Sequence, residues 1–411
     1  MFEHLKFVIV GHVDHGKSTL IGRLLYDTDS LPEEKIEEVR RTCEELGREM
    51  EFGFVMDHLE EERSQGITID TAQTFFKTGK RRYVIIDAPG HKEFIKNMIT
   101  GASQAEAAIL IVDAHDGVKE QTKRHAYLLR MLGLDQVIVV INKMDLVGHA
   151  QARFHEVQHE LMTFLSSLGI APTFTIPISA RDGDNVAFPS DKMPWYDGPT
   201  VLDGLDSFLP REAASNRPLR FPIQDVYKVK DKRILVGRVE AGKICQGDEV
   251  AFLPQEARTT VRSIESLWQE KTEAEAGESI GVTLAEPLFI ERGAVACPTG
   301  NRPVVTSKVQ ANVFWMSKRP FRVGEDLSLR IATQEVPVDI RIERKIDSST
   351  LEPICQDQEC VLETEVAEVE ISTRQPIVVE NFNYIQELGR FVLTRGLDVV
   401  AGGIITRTAL G

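Results

Sequence analysis

Cysteine is scarce in this chain, and long apolar runs are absent. The 411 residues include five cysteines, at positions 43, 245, 297, 355 and 360, with no C-x-x-C pair and no metal-like spacing. This usage favours free thiols in a reducing compartment over a disulfide framework or a zinc site. No uninterrupted apolar stretch approaches a membrane span, and the first strand begins almost at residue 1, which leaves no room for a signal peptide. We therefore expect a cytoplasmic protein with no membrane segment.

An excess of positive charge is also lacking. Lys and Arg number 48 against 63 Asp and Glu, so the formal net charge is −15 at pH 7. This balance works against a dedicated nucleic-acid binder, because neutralising phosphates needs clustered cations. It does not exclude RNA, since charge can be distributed unevenly. Hydrophobic residues make up 42 % of the chain, which is enough for several cores in the two to four domains that its length suggests.

The most informative motif lies near the N-terminus, where residues 11–18 fit G-x-x-x-x-G-K-[ST] without a mismatch. The apolar run at 7–10 predicts a buried strand before it, and residues 19–25 predict the start of a helix after it. In that context the loop backbone and the helix N-terminus can hold phosphate oxygens. Lys17 would reach the β- and γ-phosphates, and the Ser18 hydroxyl would ligate Mg²⁺. The candidate phosphate-binding residues here are Asp14, His15, Gly16, Lys17, Ser18 and Thr19.

A second phosphate element follows the apolar strand at 83–86. Residues 87–90 fit D-x-x-G. Asp87 would hold Mg²⁺ through a water molecule, and the Gly90 N–H would sense the γ-phosphate. Gly90 therefore joins the candidate phosphate-binding residues.

Two further motifs predict that the base is guanine. Asn142, Lys143 and Asp145 fit N-K-x-D after an apolar strand. The Asp145 carboxylate can accept hydrogen bonds from the guanine N1–H and 2-amino group, a pair of donors that adenine lacks. Ser179 and Ala180 follow another apolar run and fit the loop that contacts guanine O6 through a backbone amide. Four motifs in this order, each after a strand, predict a site for GTP rather than ATP.

Two longer stretches indicate the kind of GTPase. Residues 61–70 (EERSQGITID) and 87–91 (DAPGH) resemble the first and second switches of translational GTPases. On these residues the chain resembles the elongation factor Tu / elongation factor 1α superfamily, and the resemblance runs through essentially its whole length. It implies that GTP is hydrolysed to GDP with Mg²⁺ held by Ser18, Thr68 and, through water, Asp87. It also implies that His91 orients the attacking water.

The same resemblance assigns a gate to the catalytic histidine. Val13 and Ile67 would form an apolar barrier that keeps the His91 side chain away from the attacking water until a partner docks. The simpler alternative for His91 is a solvated loop histidine.

The pattern of apolar segments changes near residue 217. Residues 1 to about 210 alternate apolar strands with amphipathic helices, including a charged helix at 32–40, which predicts a doubly wound α/β P-loop GTPase domain with a mostly parallel sheet. Short β-branched strands with glycine turns then predict two antiparallel β-barrels. We expect a GTP-binding domain at 1–210, a β-barrel at 217–303 and a second β-barrel at 304–411.

Parts of the third domain point to a particular branch of the superfamily. Residues 311–316 (ANVFWM) and 344–352 (RKIDSSTLE) resemble the GTPase (large) subunit of bacterial ATP sulfurylase, as do residues 21–28. This resemblance implies a regulatory GTPase that couples GTP hydrolysis to the formation of adenosine 5′-phosphosulfate by a partner adenylyltransferase subunit. Two motifs depart from that subunit: DHGKS at 14–18 and DAPG at 87–90 are more like elongation factor 1α than the usual D-D-G-K-S and D-T-P-G.

Two other functions stay open. An elongation factor 1α-like translation factor would deliver aminoacyl-tRNA to the ribosome, and it would need a basic cleft for the RNA 3′ end. Lys228, Lys230, Lys232 and Arg233 form a basic run that could serve, although a solvated hairpin is the simpler explanation. A divergent GTPase could act on another protein partner. Since the chain has no recognisable ATP or sulfate motif besides its GTP site, we do not expect it to make phosphosulfate alone.

Replacing His91 by Ala tests the catalytic assignment. We expect slow intrinsic GTP hydrolysis that a partner accelerates, and the His91→Ala variant should lose the stimulated turnover while GTP binding stays nearly intact. Single-turnover hydrolysis and nucleotide binding, measured on the same preparation, separate the two effects. Equal loss of binding and turnover would count against a catalytic role for His91.

Overall fold

The fold is described from a computed structural model of the chain. It describes residues 4–45, 52, 73–86, 105–209, 214–229, 232–266, 271–355, 357 and 359–408. These residues fall into two compact units. The first contains the described residues up to 209 together with 348–350, and the second contains the other described residues from 214 onward.

The first unit alternates strands and helices along the chain. Its strands are β1 (His4–Gly11), β2 (Gln73–Lys77), β3 (Arg82–Ile86), β4 (Ala107–Asp113), β5 (Gln136–Asn142) and β6 (Phe174–Pro177). Its helices are α1 (Lys17–Asp27), α2 (Glu33–Glu45), α3 (Glu120–Met131), α4 (Gln151–Ser167) and α5 (Val201–Ser207), with a 3₁₀ turn at Met144–Val147.

The strands form one sheet in the order β2-β3-β1-β4-β5-β6. β2 is antiparallel to β3, and the other pairings are parallel. Every residue of β4 is buried, as expected for a central parallel strand covered on both faces. Helices α1, α2 and α5 share a core with one set of strand residues, while α3 and α4 contact β1, β4 and β5. None of the described helices is long and apolar enough to cross a membrane.

The second unit contains two closed barrels. The strands from its first part are β7 (Phe221–Val229), β8 (Lys232–Arg238), β9 (Lys243–Cys245), β10 (Glu249–Leu253), β11 (Ala257–Glu265), β12 (Glu273–Glu275), β13 (Ser279–Leu284) and β14 (Val295–Pro298). Those from its second part are β15 (Val304–Trp315), β16 (Phe321–Arg322), β17 (Leu327–Ile331), β18 (Gln334–Ile346), β19 (Cys360–Val361), β20 (Val366–Val379), β21 (Arg390–Arg395) and β22 (Asp398–Thr408). Short 3₁₀ turns occur at Ala214–Asn216 and Gln386–Leu388.

The two barrels have the orders β10-β11-β13-β8-β7-β14 and β15-β20-β18-β17-β21-β22. Along β18 buried and exposed residues alternate from Gln334 to Ile340, so one side of the strand fills the barrel and the other faces outward. The predicted fold class, a mostly parallel α/β domain followed by two antiparallel barrels, is confirmed. The charged helix expected at 32–40 is also present, as α2.

A buried ion pair joins the two barrels. Arg220, which is 1 % exposed, donates through Nε to Glu380 Oε1 at 2.9 Å and through Nη2 to the same oxygen at 2.6 Å. Its remaining donors reach the Leu219 and Asn301 carbonyls and Asn301 Oδ1. An apolar cluster adds to this contact, with Leu253 and its neighbours from the first barrel packed on Val378 and residues near it. Since every group in this ion pair has partners, burying it is tolerable.

Removing one member of this ion pair should destabilise the second unit strongly. Glu380→Ala leaves the Arg220 charge buried without its partner, which costs about 3–5 kcal/mol of unfolding free energy. Glu335→Ala, which breaks an exposed pair with Arg330 on the second barrel, is the control and should cost about 0–1 kcal/mol. Chemical denaturation followed by the fluorescence of the buried Trp315, with the other two tryptophans replaced, measures both. Equal losses in the two variants would contradict the importance of the buried pair.

Candidate guanine-nucleotide site

The phosphate loop connects the end of β1 to the start of α1. Gly16 precedes the helix with φ +89°, and a Cβ there would overlap the side-chain nitrogen of Asn142, so only glycine fits. Lys17 begins the helix, and its Nζ donates to the carbonyls of Gly11 at 3.1 Å and His12 at 2.9 Å. These bonds curl the loop around the lysine ammonium. The loop therefore leads directly into the N-terminus of α1, where a helix can bind an anion.

The His15 side chain is buried in this loop and is not placed to contact a phosphate. Its side chain is 1 % exposed, and Nδ1 lies 3.4 Å from the Ile111 carbonyl oxygen. Burial lowers the pKa of His15 to about 4, so the ring is neutral near pH 7. What His15 can offer a phosphate is thus its backbone and not a positive charge. Asp14, Ser18 and Thr19 lie beside it in the loop and the first turn of α1, with Asp14 at φ +65°.

Asn142 ties the phosphate loop to the guanine motif. It ends β5, and its side chain is buried. Nδ2 donates to the His15 carbonyl oxygen at 2.9 Å, and Oδ1 accepts from the Ala180 N–H at 3.0 Å. One amide therefore fixes two loops at once, because all three segments follow parallel strands that end at the same edge of the sheet.

Asp145 is oriented by the loop after β6. The hydroxyl of Ser179, a fully buried residue, donates to Asp145 Oδ1 at 2.8 Å. This bond presents the carboxylate in one orientation, as recognition of two donors on a base edge requires. The Ala180 N–H already donates to Asn142, so a contact between this amide and guanine O6 would be shared with Asn142.

Lys143 has a partner that the motif did not reveal. It adopts φ +61°, and its Nζ lies 2.8 Å from Oδ2 of Asp113, the last residue of β4. Asp113 is 4 % exposed, and its other oxygen accepts from the backbone N–H of His115 at 2.8 Å. The ion pair fixes the position of the lysine ammonium. The signal for Asp113 was present in the sequence, as a carboxylate directly after an apolar strand.

The loop that carries Ser179 and Ala180 is braced by its own ion pairs. Lys192 donates to Asp182 at 2.8 Å and to Asp184 at 3.2 Å, and Ser190 Oγ donates to Asp184 at 2.7 Å. The hydrogen bond from Lys192 lowers the pKa of Asp182, so this carboxyl stays ionised in neutral solution. The loop from Ser179 to Lys192, called the guanine loop below, is thus cross-linked by its own side chains.

The remaining predicted residues divide into two groups. Val13, proposed for the gate, is 55 % exposed in the phosphate loop. Ile67, Thr68, Asp87, Gly90 and His91 lie outside the described residues.

Comparison with known proteins places these features in a family. The family model for the elongation factor Tu GTP binding domain matches residues 2–211, that for elongation factor Tu domain 2 matches 232–297, and that for the GTP-eEF1A C-terminal domain-like family matches 308–406. Elongation factor 1-alpha of Pyrococcus furiosus is 43 % identical to the chain, over 98 % of this chain and 97 % of that protein. Elongation factor 1-alpha of Methanopyrus kandleri is 42 % identical, over 98 % of both.

The chain belongs to the elongation factor Tu / elongation factor 1α superfamily of translational GTPases. Among solved structures, Sup35 complexed with GDP is 28 % identical over 99 % of this chain and 94 % of that one, with a TM-score of 0.45.

Membership confirms the superfamily resemblance and a GTP-binding GTPase. The finer resemblance, to the GTPase subunit of ATP sulfurylase, gains no support from these relatives. The family model that covers 308–406 includes two of the three stretches on which that resemblance rested, 311–316 and 344–352, and it is of the elongation factor 1α type.

Asp145→Asn should change which base this GTPase accepts. The asparagine amide can donate to the 2-oxo group of xanthine but cannot accept two bonds from guanine, so GDP affinity should fall by about 100-fold or more while XDP binding rises. Asp135→Asn, at a carboxylate whose side chain is 84 % exposed, is the control and should bind GDP normally. Competition of GDP and XDP for each variant measures the effect. Unchanged discrimination against XDP would contradict the base-recognition role of Asp145.

Proposed function

We propose that this GTPase is a translation factor of the elongation factor 1α type, which in its GTP form delivers aminoacyl-tRNA to the ribosome. The observation that carries this proposal is the whole-length identity with proteins named elongation factor 1-alpha, at 42–43 % over 98 % of the chain. A match confined to the GTP-binding domain would support only a nucleotide switch, because a fold hosts many functions. Here the match includes both barrels.

The domain division expected from the sequence is part of this proposal. We propose a GTP-binding domain at 1–210 and barrels at 217–303 and 304–411, and the gap between the end of β14 at Pro298 and the start of β15 at Val304 supports the boundary between the barrels.

A pocket on the outer wall of the first barrel suits the 3′ end of a charged tRNA. Its volume is 680 Å³, within the range of pockets that hold ligands of nucleoside size. Apolar side chains form much of its lining, with a few polar groups beside them. The lining includes Pro222, Gln224, Tyr227, Ile234, Val236, Arg238, Glu240, Glu265, Ser279, Ile280 and Gly281.

The alternation of β8 creates the floor of this pocket. Leu235 points into the barrel and is 1 % exposed, whereas Ile234 and Val236 are half-buried on the outside. Val236 pairs with Gly281 on β13, where the missing side chain lets the side chains of Ile234 and Val236 pack over the strand. A flat aliphatic floor flanked by Tyr227 is suited to stacking a nucleobase.

The basic run on the β7–β8 hairpin lies beside this pocket. Lys232 Nζ is 3.3 Å from Oε1 of Glu265, which lines the pocket. Arg233 donates to the Ile290 carbonyl at 2.8 Å and lies 5.3 Å from the centre of the Phe289 ring. Lys228 is exposed at the end of β7, and Lys230 lies outside the described residues. Cations at the rim support an RNA whose backbone passes the pocket.

The charge of the pocket also depends on Glu240. Burial, and then the carboxylate of Glu387, raise the pKa of Glu240 to about 7. Near neutral pH this carboxyl is therefore only partly ionised, which lowers its repulsion toward an RNA phosphate.

In the nucleotide site we propose the roles that the superfamily resemblance implies. Asp14, His15, Gly16, Lys17, Ser18, Thr19 and Gly90 would bind the phosphates, and Asn142, Lys143, Asp145, Ser179 and Ala180 the guanine. The hydroxyls of Ser18 and Thr68 with the Asp87 carboxylate, acting through water, form the set of hard oxygen donors that Mg²⁺ prefers. When bound, the ion would offset charge on the β- and γ-phosphate oxygens. His91 would orient water, with Val13 and Ile67 as its gate.

The regulatory role in ATP sulfurylase is not part of this proposal. The resemblance behind it rested on short stretches of the first and third domains, and the whole-length relatives are elongation factor 1-alpha proteins. A GTPase that acts on another protein is the remaining alternative, and the test below distinguishes it.

Binding of charged tRNA tests the proposal directly. The GTP-loaded chain should bind aminoacyl-tRNA well above deacylated tRNA. Val236→Glu, which places a carboxylate on the pocket floor, should weaken that binding by about 5- to 150-fold, since stacking one base contributes about 1–3 kcal/mol. GDP binding should not change. Equilibrium titration with labelled tRNA measures both affinities.

Val323→Glu is the matched control, because it adds the same charge at a residue of the second barrel that is 46 % exposed. It should bind charged tRNA like the unaltered chain. No preference for charged over uncharged tRNA would contradict the proposed function, and equal loss in both variants would contradict the assignment of the pocket.

A further inference from the structure

Arg23 occupies an unexpected place between the two halves of the nucleotide site. It lies on α1, the helix that starts at the phosphate loop, yet its guanidinium rests on Gly183 in the guanine loop. A Cβ built at Gly183 would lie 2.5 Å from Arg23 Cζ and 2.8 Å from Nε, and it would overlap Nη2. Three atoms at similar distances mean that the flat face of the guanidinium covers this glycine.

Gly183 suits this contact for two reasons. Its φ of +87° is rare for residues with a side chain, and any side chain there would displace Arg23. The Arg23 guanidinium can therefore occupy this position only because residue 183 is glycine.

Other contacts fix the orientation of the Arg23 side chain. Nε donates to Asp27 Oδ2 at 2.8 Å, one turn along α1, and the Asp27 side chain is 4 % exposed. Arg23 Cζ lies 4.9 Å from the centre of the Phe52 ring and 5.6 Å from that of Tyr26. A guanidinium held by a buried carboxylate and by two rings has little rotational freedom, so it can act as a rigid support.

The support reaches the base-recognition groups through short hydrogen bonds. The Gly183 N–H donates to the Ser179 carbonyl at 2.7 Å, and the Ser179 N–H donates to the Asp184 carbonyl at 3.2 Å. Ser179 in turn orients Asp145 through its hydroxyl. Moving Gly183 would therefore move the group that fixes the guanine-reading carboxylate.

We propose that Arg23 is a positioning residue that clamps the guanine loop onto the phosphate-loop helix, and that it thereby slows release of guanine nucleotide and sharpens selection of guanine. The inference rests on the guanine-nucleotide site and not on tRNA delivery. It does not require Arg23 to touch the nucleotide.

Two variants test the clamp in the full-length chain. Arg23→Met keeps the length of the side chain but loses its charge and flat donor group, and GDP release should become about tenfold faster. Arg23→Lys keeps the charge without the planar fork and should give an intermediate rate. Arg40→Met, which removes an exposed arginine paired with Glu37 on α2, is the control and should release GDP at the unaltered rate. Stopped-flow release of fluorescent GDP measures all of these.

A second readout separates the clamp from general destabilisation. IDP lacks the 2-amino group from which Asp145 would accept a hydrogen bond. The ratio of GDP to IDP affinity therefore reports how well the Asp145 carboxylate is positioned. In Arg23→Met this ratio should fall severalfold. A ratio equal to that of the unaltered chain, or a GDP release rate within twofold of it, would overturn the proposal. If charged tRNA failed to bind while these results held, the clamp would stand and only the proposed function would fail.

Discussion

The hydrogen bonds of the Asn142 side chain are the constraint on which the nucleotide site depends. The amide is buried at the end of β5, and it spans the His15 carbonyl of the phosphate loop and the Ala180 N–H of the guanine loop. A buried amide is costly unless donor and acceptor are both used, so the two bonds stabilise each other's geometry. The parallel sheet brings three strand ends to one edge, and Asn142 converts that proximity into a defined site.

Around this centre, paired charges set the orientation of each loop. Asp113 holds Lys143, Lys192 bridges Asp182 and Asp184, and Arg23 rests on Gly183. In the second unit, the buried Arg220–Glu380 pair and the apolar contact around it join the two barrels. This contact fixes the first barrel relative to the second.

Much of the fold can be predicted from the sequence. Buried parallel strands give continuous apolar runs, and the barrel strands are short β-branched segments separated by glycine turns. The phosphate loop could be predicted because its residues follow a fixed spacing, with Gly16 required by its backbone conformation and Lys17 acting through its side chain. Arg23 could not be predicted as a site residue, because Gly183 lies 160 positions away and only folding brings the two together. Asp113 ends an apolar strand, which marks it as a candidate, but its pairing with Lys143, 30 positions along the chain, could not be predicted. In the third domain, short stretches resemble a sulfurylase subunit, whereas the match over residues 308–406 is to the elongation factor 1α type, so the finer resemblance gains no support.

If this chain is a decoding GTPase, its GTP hydrolysis should depend on the codon. Single-turnover GTP hydrolysis tests this, with the chain loaded with aminoacyl-tRNA on ribosomes programmed with a cognate or a non-cognate codon. The cognate codon should accelerate hydrolysis strongly, and the non-cognate codon hardly at all. Hydrolysis that ignores the codon, or that is accelerated instead by an adenylyltransferase subunit with ATP and sulfate, would contradict a decoding role.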